Sequence, residues 1–126
     1  MKEIHTDDAP ASIGPYSQGI VDGSTVYVSG QGPVDPETNE IVGSDVREQT
    51  AQTLENAAAI LEAGGSSLDD VVKSTVFVRD MADYDAVNDV YGDYLSDPYP
   101  ARSAVQVVDL PIDIDVEIEV IATMED

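Results

Sequence analysis

The chain has 126 residues, and it carries 26 acidic side chains against five Lys and Arg residues, for a formal net charge of −21. This length predicts one domain, residues 1–126, with a substantial core, and the charge argues strongly against sequence-independent binding to nucleic acid, which needs clustered basic side chains. The sequence contains no cysteine, which excludes disulfides, thiolate nucleophiles and cysteine-ligated metals.

The first third of the chain predicts strands and loops. The predicted elements are a short strand at 2–6, a loop at 9–16, and hairpin strands at 17–21 and 25–29. Asp22 and Gly23 supply the turn of the hairpin. The segment 30–33 (Gly-Gln-Gly-Pro) is expected to end the second hairpin strand, and a turn is predicted at 35–39.

The first helix is predicted from Val46 to Ala63, where apolar and small side chains recur at helical spacing. Asp45 and Glu48 have the spacing of a capping box, in which two side chains satisfy two free N–H groups at the start of a helix. The glycine pair at 64–65 is a stop signal at its carboxyl end.

The rest of the chain predicts a strand, a helix and two further strands. Their predicted ranges are 71–78, 83–95, 101–108 and 115–123. Asp83 is the expected N-cap of the helix, whose apolar face is predicted to contain Tyr84, Val87, Tyr91 and either Tyr94 or Leu95. The order of elements predicts an α+β domain in which both helices pack on one face of a mixed sheet.

The last predicted strand has a clear two-residue period. Apolar side chains occupy the even positions from 114 to 120, and acids occupy the odd positions from 113 to 119. The apolar face must meet the helices, whereas the acidic face must meet water, a partner subunit or a ligand. Taken alone, Glu117 and Glu119 are most simply part of a solvated surface.

Arg102 is the most isolated of the few basic residues, because its nearest acids in the sequence are Asp97 and Asp109. A guanidinium among small and apolar residues needs an anion. The protein's own acids and a bound ligand are comparable candidates for that anion.

Two common kinds of site are improbable. The single histidine, His5, falls in a predicted terminal strand without a second histidine, so a metal site or a Ser-His-Asp triad is not expected there. The glycines at 30 and 32 precede Pro33 and not a helix, so they are not expected to form a dinucleotide or phosphate loop.

Several segments together carry a family likeness. They are Gly14-Pro15-Tyr16, Ser29-Gly30-Gln31, Thr75-Val76-Phe77-Val78, Pro100-Ala101-Arg102-Ser103, Leu110-Pro111 and Val116-Glu117-Ile118-Glu119. In this order they closely resemble the reactive intermediate deaminase family (RidA, also called YjgF), over nearly the whole chain. The arginine block followed by the glutamate strand is the most specific part.

The resemblance implies a chorismate-mutase-like α+β fold and a homotrimer whose sheets form a central barrel, with sites in the clefts between subunits. It also implies hydrolysis of 2-imino acids such as 2-iminobutanoate and 2-iminopropanoate, or their enamine tautomers, to 2-keto acids and ammonia. Neither a cofactor nor a metal is expected.

The resemblance also implies roles for individual residues. Arg102 would bind the substrate carboxylate, Glu117 would position and activate a water, and Tyr16 would line the cleft. By analogy, the pocket would be completed by Ser29, Gly30 and Asn88. Many family members carry a cysteine where this chain has Ala104, so thiol-dependent regulation would be lost, while the backbone at Ala104 would still contact the carboxylate.

Two other functions stay open: a non-catalytic trimer that binds small carboxylates as a sensor, and an RNA-acting translation inhibitor, which the charge disfavours. No apolar run approaches membrane-spanning length and the N-terminus lacks the regions of a signal peptide, so we expect a soluble, cytoplasmic protein without membrane contact. Because the acids are dispersed through a sequence with core periodicity, we also expect adaptation to molar salt.

Overall fold

The computed structural model describes residues 1–124, which form one six-stranded sheet and two α-helices. The strands are β1 Lys2–Ile4, β2 Gly19–Asp22, β3 Thr25–Gln31, β4 Val71–Val78, β5 Ala101–Gln106 and β6 Val116–Thr123. The helices are α1 Val46–Ala63 and α2 Tyr84–Tyr94, with short 3-10 turns at Leu68–Asp70 and Met81–Asp83.

The sheet is mixed, and its strand order is β1-β2-β3-β6-β4-β5. Neighbouring strands are antiparallel except β4 and β5, which are parallel and are joined by a crossover through α2. Both helices contribute to one hydrophobic core, and α1 lies against β3, β6 and α2. The predicted α+β fold, with a mixed sheet and two helices on one face, is therefore confirmed.

Helix α1 has the predicted bounds because its end signals are local. Asp45 Oδ1 accepts from the N–H of Glu48 at 2.9 Å, but the Glu48 carboxylate accepts from Ser44 N–H at 3.4 Å and not from Asp45. Only half of the predicted capping box therefore forms. At the other end, Gly65 adopts a φ of +88°, and Ser66 N–H donates to Leu61 O at 2.8 Å, which closes the last turn.

The core lies between the helices and the face of the sheet that the even positions of β6 supply. Val116, Ile118 and Val120 are buried, as their alternation predicted. They pack in one cluster with apolar side chains of α1 such as Leu54 and Ile60. Burial of this cluster is the main stabilising contribution that the structure shows.

Several predicted strand bounds were wrong. Strand β3 does not end before Gly30; it continues to Gln31, which pairs with Ile118 after a register shift between Val28 and Gln31. Such a bulge lets a strand continue past a glycine. The strand predicted at 101–108 ends at Gln106, and the strand predicted at 2–6 ends at Ile4. The strand predicted at 17–21 is observed at 19–22, and β6 begins at Val116, one residue later than predicted.

Asp83 occupies the N-cap position of α2, as predicted. A 3-10 turn precedes α2, and its own N-cap is Asp80, whose Oδ1 accepts from Ala82 N–H at 2.9 Å. Asp83 stands in the N-cap position of α2 with helical backbone angles, but its side chain caps no N–H group. Within residues 1–124, no helix is both long and apolar enough to cross a membrane.

Candidate functional site

Two recesses hold most of the residues that the sequence singled out. The first, called the Glu117 cleft, has a volume of about 650 Å³ and is lined by residues that include Tyr16, Ser29, Gly30, Ile112, Glu117 and Glu119. The second, called the Arg102 pocket, has a volume of about 310 Å³ and is lined by Asn88, Tyr91, Gly92, Tyr99, Pro100 and Arg102.

The two recesses lie on opposite faces of the sheet because of strand register. Arg102 pairs with Ser74 of β4, whose buried hydroxyl contacts the Tyr91 hydroxyl of α2, so Arg102 is on the helix-covered face. Glu117 pairs with Phe77, three positions further along β4. Because successive side chains of a strand alternate between faces, Glu117 is on the face away from the helices.

The Arg102 guanidinium is held by neutral groups. Its Nη2 donates to Asn88 Oδ1 at 2.7 Å and to the Tyr84 hydroxyl at 3.0 Å. Its Cζ atom lies 4.7 Å from the centre of the Tyr91 ring, within range of a cation–π interaction. Among residues 1–124 no carboxylate forms an ion pair with Arg102, and its Nη1 and Nε make no hydrogen bond. These free donors can bind an external anion.

Arg79, in contrast to Arg102, is paired with carboxylates of the same chain. Its guanidinium contacts Asp113 Oδ1 at 2.7 Å and Asp115 Oδ1 at 3.1 Å, and these hydrogen bonds raise the pKa of Arg79. The row of acids at the odd positions from 113 to 119 is therefore divided. Its first two acids serve an internal ion pair, whereas Glu117 and Glu119 line the Glu117 cleft.

Glu117 lies partly buried above the backbone of Gly30. A Cβ atom at position 30 would collide with the Glu117 carboxylate, so a glycine is required at this close approach. Burial raises the pKa of Glu117, and repulsion from Glu119 raises it further. A carboxylate whose pKa is shifted toward neutrality is suited to act as a general base.

The other wall of the Glu117 cleft is a loop that a buried glutamine anchors. The Gln18 side chain donates to the carbonyl oxygens of Thr6, Ala9 and Pro10 at 2.8–3.2 Å and accepts from Thr6 N–H at 2.8 Å. The loop predicted at 9–16 is thereby fixed against the sheet. It carries Tyr16, whose hydroxyl accepts from Ile13 N–H at 3.2 Å and whose side chain stays exposed.

Ser29 and Ala104 complete the set of predicted residues. Ser29 lies on the cleft wall, and its hydroxyl donates to the Ser17 carbonyl oxygen at 2.6 Å. Ala104 follows Arg102 by two positions on β5, is partly buried against the core and pairs with Val76. Within one chain the structure thus brings Tyr16, Ser29, Gly30 and Glu117 together, and separately Arg102 and Asn88, but it does not join the two groups.

Sequence reasoning missed two side chains of the Arg102 pocket. Tyr84 and Tyr91 were both predicted as packing residues of α2, yet both contact the guanidinium. Tyr91 is buried as expected, but Tyr84 is only partly buried. The available signal was the spacing of positions 84, 88 and 91, which places them on one face of a helix.

Within the part of the chain that the structure describes, no group of three or more His, Asp or Glu side chains is placed to hold a metal ion. His5 is exposed just after β1. The chemistry of the two recesses is therefore that of a guanidinium, a carboxylate, hydroxyls and backbone amides.

Comparison with known proteins points to one family over nearly the whole chain. The family model described as endoribonuclease L-PSP matches residues 6–124. A RutC family protein of Pyrococcus horikoshii is 52% identical over 99% of this chain and 100% of its own. A 2-iminobutanoate/2-iminopropanoate deaminase of Salmonella typhimurium is 50% identical over 96% of both chains.

Solved structures agree with this match. RidA from an Antarctic Psychrobacter species superposes with a TM-score of 0.95 at 48% identity, covering 98% of this chain and 100% of that one. TdcF of Escherichia coli with bound serine superposes with a TM-score of 0.93 at 45% identity, covering 99% and 100%.

Proposed function

This chain belongs to the endoribonuclease L-PSP family, which includes the RidA and RutC proteins, and we propose that it hydrolyses 2-imino acids to 2-keto acids and ammonia. The proposed substrates are small ones such as 2-iminopropanoate and 2-iminobutanoate, or their enamine tautomers. A relative that is named for this activity is 50% identical to the chain.

The proposal rests mainly on the contacts of the Arg102 side chain. In a chain with 26 acidic side chains, its guanidinium contacts an amide oxygen, a phenol and an aromatic ring, and its Nη1 and Nε make no hydrogen bond to the described residues 1–124. A cation held in this way suits a ligand carboxylate, which a planar guanidinium binds with two parallel hydrogen bonds.

Glu117 supplies the second part of the chemistry. In the proposed reaction it takes a proton from a water, whose oxygen adds to the imine carbon to give a carbinolamine. The carboxyl delivers that proton to the imine nitrogen as the carbinolamine forms. It then takes the carbinolamine hydroxyl proton and passes it to the amino nitrogen, so the C–N bond breaks, the hydroxyl oxygen becomes the keto oxygen and ammonia leaves, with one water consumed for each keto acid formed. The raised pKa of Glu117 suits both proton transfers.

The two recesses act together only if a second subunit takes part. We propose that the Arg102 pocket of one subunit faces the Glu117 cleft of its neighbour in a homotrimer with a central barrel. The faces of the sheet that lack helices would line that barrel. Tyr27 and Val105 lie on this uncovered face and are more than 40% exposed, which favours burial between subunits.

The main alternative is a trimer that only binds small carboxylates. Such a sensor needs Arg102 but has no use for a half-buried carboxylate of raised pKa, so Glu117 favours the enzyme. An RNA-acting role is disfavoured by the net charge of −21, because RNA-binding surfaces need clustered cations. Arg47 and Arg79 are moreover already paired with acids.

The proposal is tested by generating 2-iminobutanoate in situ at high KCl and trapping the remaining imine with semicarbazide. The wild type should reduce the amount trapped, whereas Arg102→Ala and Glu117→Gln should each lose that effect while remaining folded. Arg47→Ala is the matched control, because it removes a guanidinium from a surface ion pair with Asp89.

If wild-type protein does not change the amount of imine trapped by semicarbazide, the proposed deaminase activity is refuted. A Glu117→Gln variant that is as active as wild type would refute the role of Glu117. If wild type binds a 2-keto carboxylate but hydrolyses no imine, the carboxylate sensor is the better description.

A further inference from the structure

Tyr84 is one of two residues that hydrogen bond the Arg102 guanidinium within the described chain, and it lies outside the sequence motifs of the family likeness. The phenol oxygen lies 3.0 Å from Nη2, and Asn88 Oδ1 lies 2.7 Å from the same nitrogen. An Nη nitrogen carries two hydrogens, so both are directed at these two acceptors.

These contacts determine which donors of Arg102 stay available. Because Nη2 is committed to Tyr84 and Asn88, a carboxylate that enters the pocket meets Nη1 and Nε. The Tyr91 ring lies 4.7 Å from Cζ and the Tyr84 ring 5.6 Å from it. Two acceptors at one nitrogen, together with aromatic contact, restrict rotation of a side chain that is otherwise rich in rotamers.

The other tyrosine hydroxyls of α2 are committed elsewhere. The Tyr91 hydroxyl contacts the Ser74 hydroxyl at 2.7 Å, and the Tyr94 hydroxyl donates to Glu55 Oε1 at 2.9 Å. The Tyr84 hydroxyl instead accepts from Arg102 Nη2 at 3.0 Å. Its position is therefore explained by the guanidinium and not by a need of the core.

We propose that Tyr84 is a positioning residue for substrate binding, whose phenol oxygen fixes the Arg102 guanidinium in the orientation that presents Nη1 and Nε to the substrate carboxylate. This inference rests on the proposed function, because it takes Arg102 as the carboxylate anchor. It adds a residue that acts through Arg102, and it assigns no chemical step to the phenol.

The phenol also gives the pocket a dependence on pH. The pKa of Tyr84 is lowered from its ordinary value first by hydrogen bonding with the Asn88 side chain and then by the hydrogen bond and positive charge of Arg102, while burial and the charge of Asp85 act in the opposite direction. Once ionised, the phenolate would pair with Arg102 and repel a substrate anion, so carboxylate affinity should fall at alkaline pH. Tyr91 and Tyr99 are the other titratable groups of the pocket.

The test is calorimetric binding of 2-oxobutanoate, the product of the proposed reaction, to wild type and to Tyr84→Phe in high KCl. Tyr84 acts on the ligand only through Arg102, so its loss should cost about the net contribution of an ordinary hydrogen bond and weaken binding by about threefold to tenfold. In the imine assay the variant should show a raised KM with little change in kcat, because the carboxylate is bound in both the ground and transition states. A variant that was merely less well folded would lose kcat and keep KM.

Tyr94→Phe is the matched control, since it removes a hydroxyl from the same helix at a distance from the pocket, and it should bind like wild type. The loss of carboxylate affinity at alkaline pH should be present in wild type and should be absent, or shifted to higher pH, in Tyr84→Phe. Because Tyr91 and Tyr99 are present in both proteins, this difference isolates the effect of Tyr84.

Equal 2-oxobutanoate affinities for wild type and Tyr84→Phe would overturn the role of Tyr84 and leave the deaminase standing. An effect confined to kcat, or identical alkaline profiles, would overturn it as well. If wild type itself binds no 2-oxobutanoate, the carboxylate anchor is wrong, and the role of Tyr84 fails together with the proposed function.

Discussion

Arg102 and Glu117 lie on opposite faces of the same sheet, with strand β4 between the strands that carry them. Within residues 1–124, neither of the two recesses contains both side chains. Strand β5, which carries Arg102, is also an edge strand of the sheet. If both residues act on one substrate, they must come from different subunits.

This separation predicts complementation between two impaired variants. Arg102→Ala and Glu117→Gln should each keep only a small residual activity alone. When the two are mixed, unfolded and refolded together, about a quarter of the sites should pair an intact arginine with an intact glutamate, so activity should return to about a quarter of the wild-type value. The measurement is the imine-trapping assay, before and after co-refolding.

The control for that experiment is mixing without unfolding, which should restore little activity if subunit exchange is slow. If gel filtration shows trimers but co-refolding restores no activity, one subunit carries the whole site. A monomer by gel filtration in high salt would refute the shared site directly.

Glu117 should also reduce the stability of the folded protein at neutral pH. Its pKa is raised by burial and by Glu119, so the folded state favours the protonated form, and stability is lost as pH rises through the folded-state pKa. Glu117→Gln should therefore raise the Tm slightly at pH 7, because partial solvent exposure weakens the effect, while it removes most of the activity.

Measuring the Tm of wild type and of Glu117→Gln over a range of pH tests the direction of this stability difference. Below the ordinary pKa of a glutamate the carboxyl is protonated in both states, so wild type and Glu117→Gln should melt at similar temperatures, and the gap should open as pH rises. Glu40→Gln, at an exposed carboxylate, controls for the loss of one negative charge. An equal Tm gain in Glu40→Gln would attribute the effect to net charge alone.

The sequence predicted the elements whose signals are local. Helix α1 begins after Asp45 and ends before Gly65 because the groups that satisfy its ends are within a few residues. The buried face of β6 follows from a strict alternation of apolar and acidic residues. Strand bounds were less accurate, since β3 reaches Gln31 only because Ile118, far along the chain, pairs with it.

The arrangement of the site could not be predicted in the same way. The motif identified Arg102, Glu117 and Asn88, but the face that each side chain occupies depends on the register of three strands, which no local pattern fixes. The contact of Tyr84 with Arg102 likewise requires α2 to lie over β5. Two tyrosines with apolar neighbours at helical spacing are typical of packing, so their polar role was not visible.

Gly30 provides a test of the geometry around Glu117. In Gly30→Ala the new Cβ would overlap the Glu117 carboxylate, which must then swing away from the cleft. Activity should fall by about tenfold or more, because small misplacements of a catalytic group are costly. The loss of Tm should be modest, since a flexible side chain and not the backbone has to move.

A double variant separates this mechanism from general damage. If Gly30→Ala acts by displacing Glu117, then adding it to Glu117→Gln should reduce the remaining rate little further, which is the non-additivity expected of two changes with one target. Independent losses that multiply in the double variant would contradict the proposed contact.

The net charge of −21 should make the stability of the folded protein depend on salt. Arg47 and Arg79 are each paired with acids, but most of the acidic side chains repel one another across the surface. Raising KCl from about 0.1 M to about 3 M shortens the Debye length from roughly 10 Å to less than 3 Å, so the Tm should rise steadily over this range. Sucrose is the control, because it favours burial without screening charge. A Tm that is flat or falls with KCl, or that responds equally to sucrose, would contradict adaptation to salt.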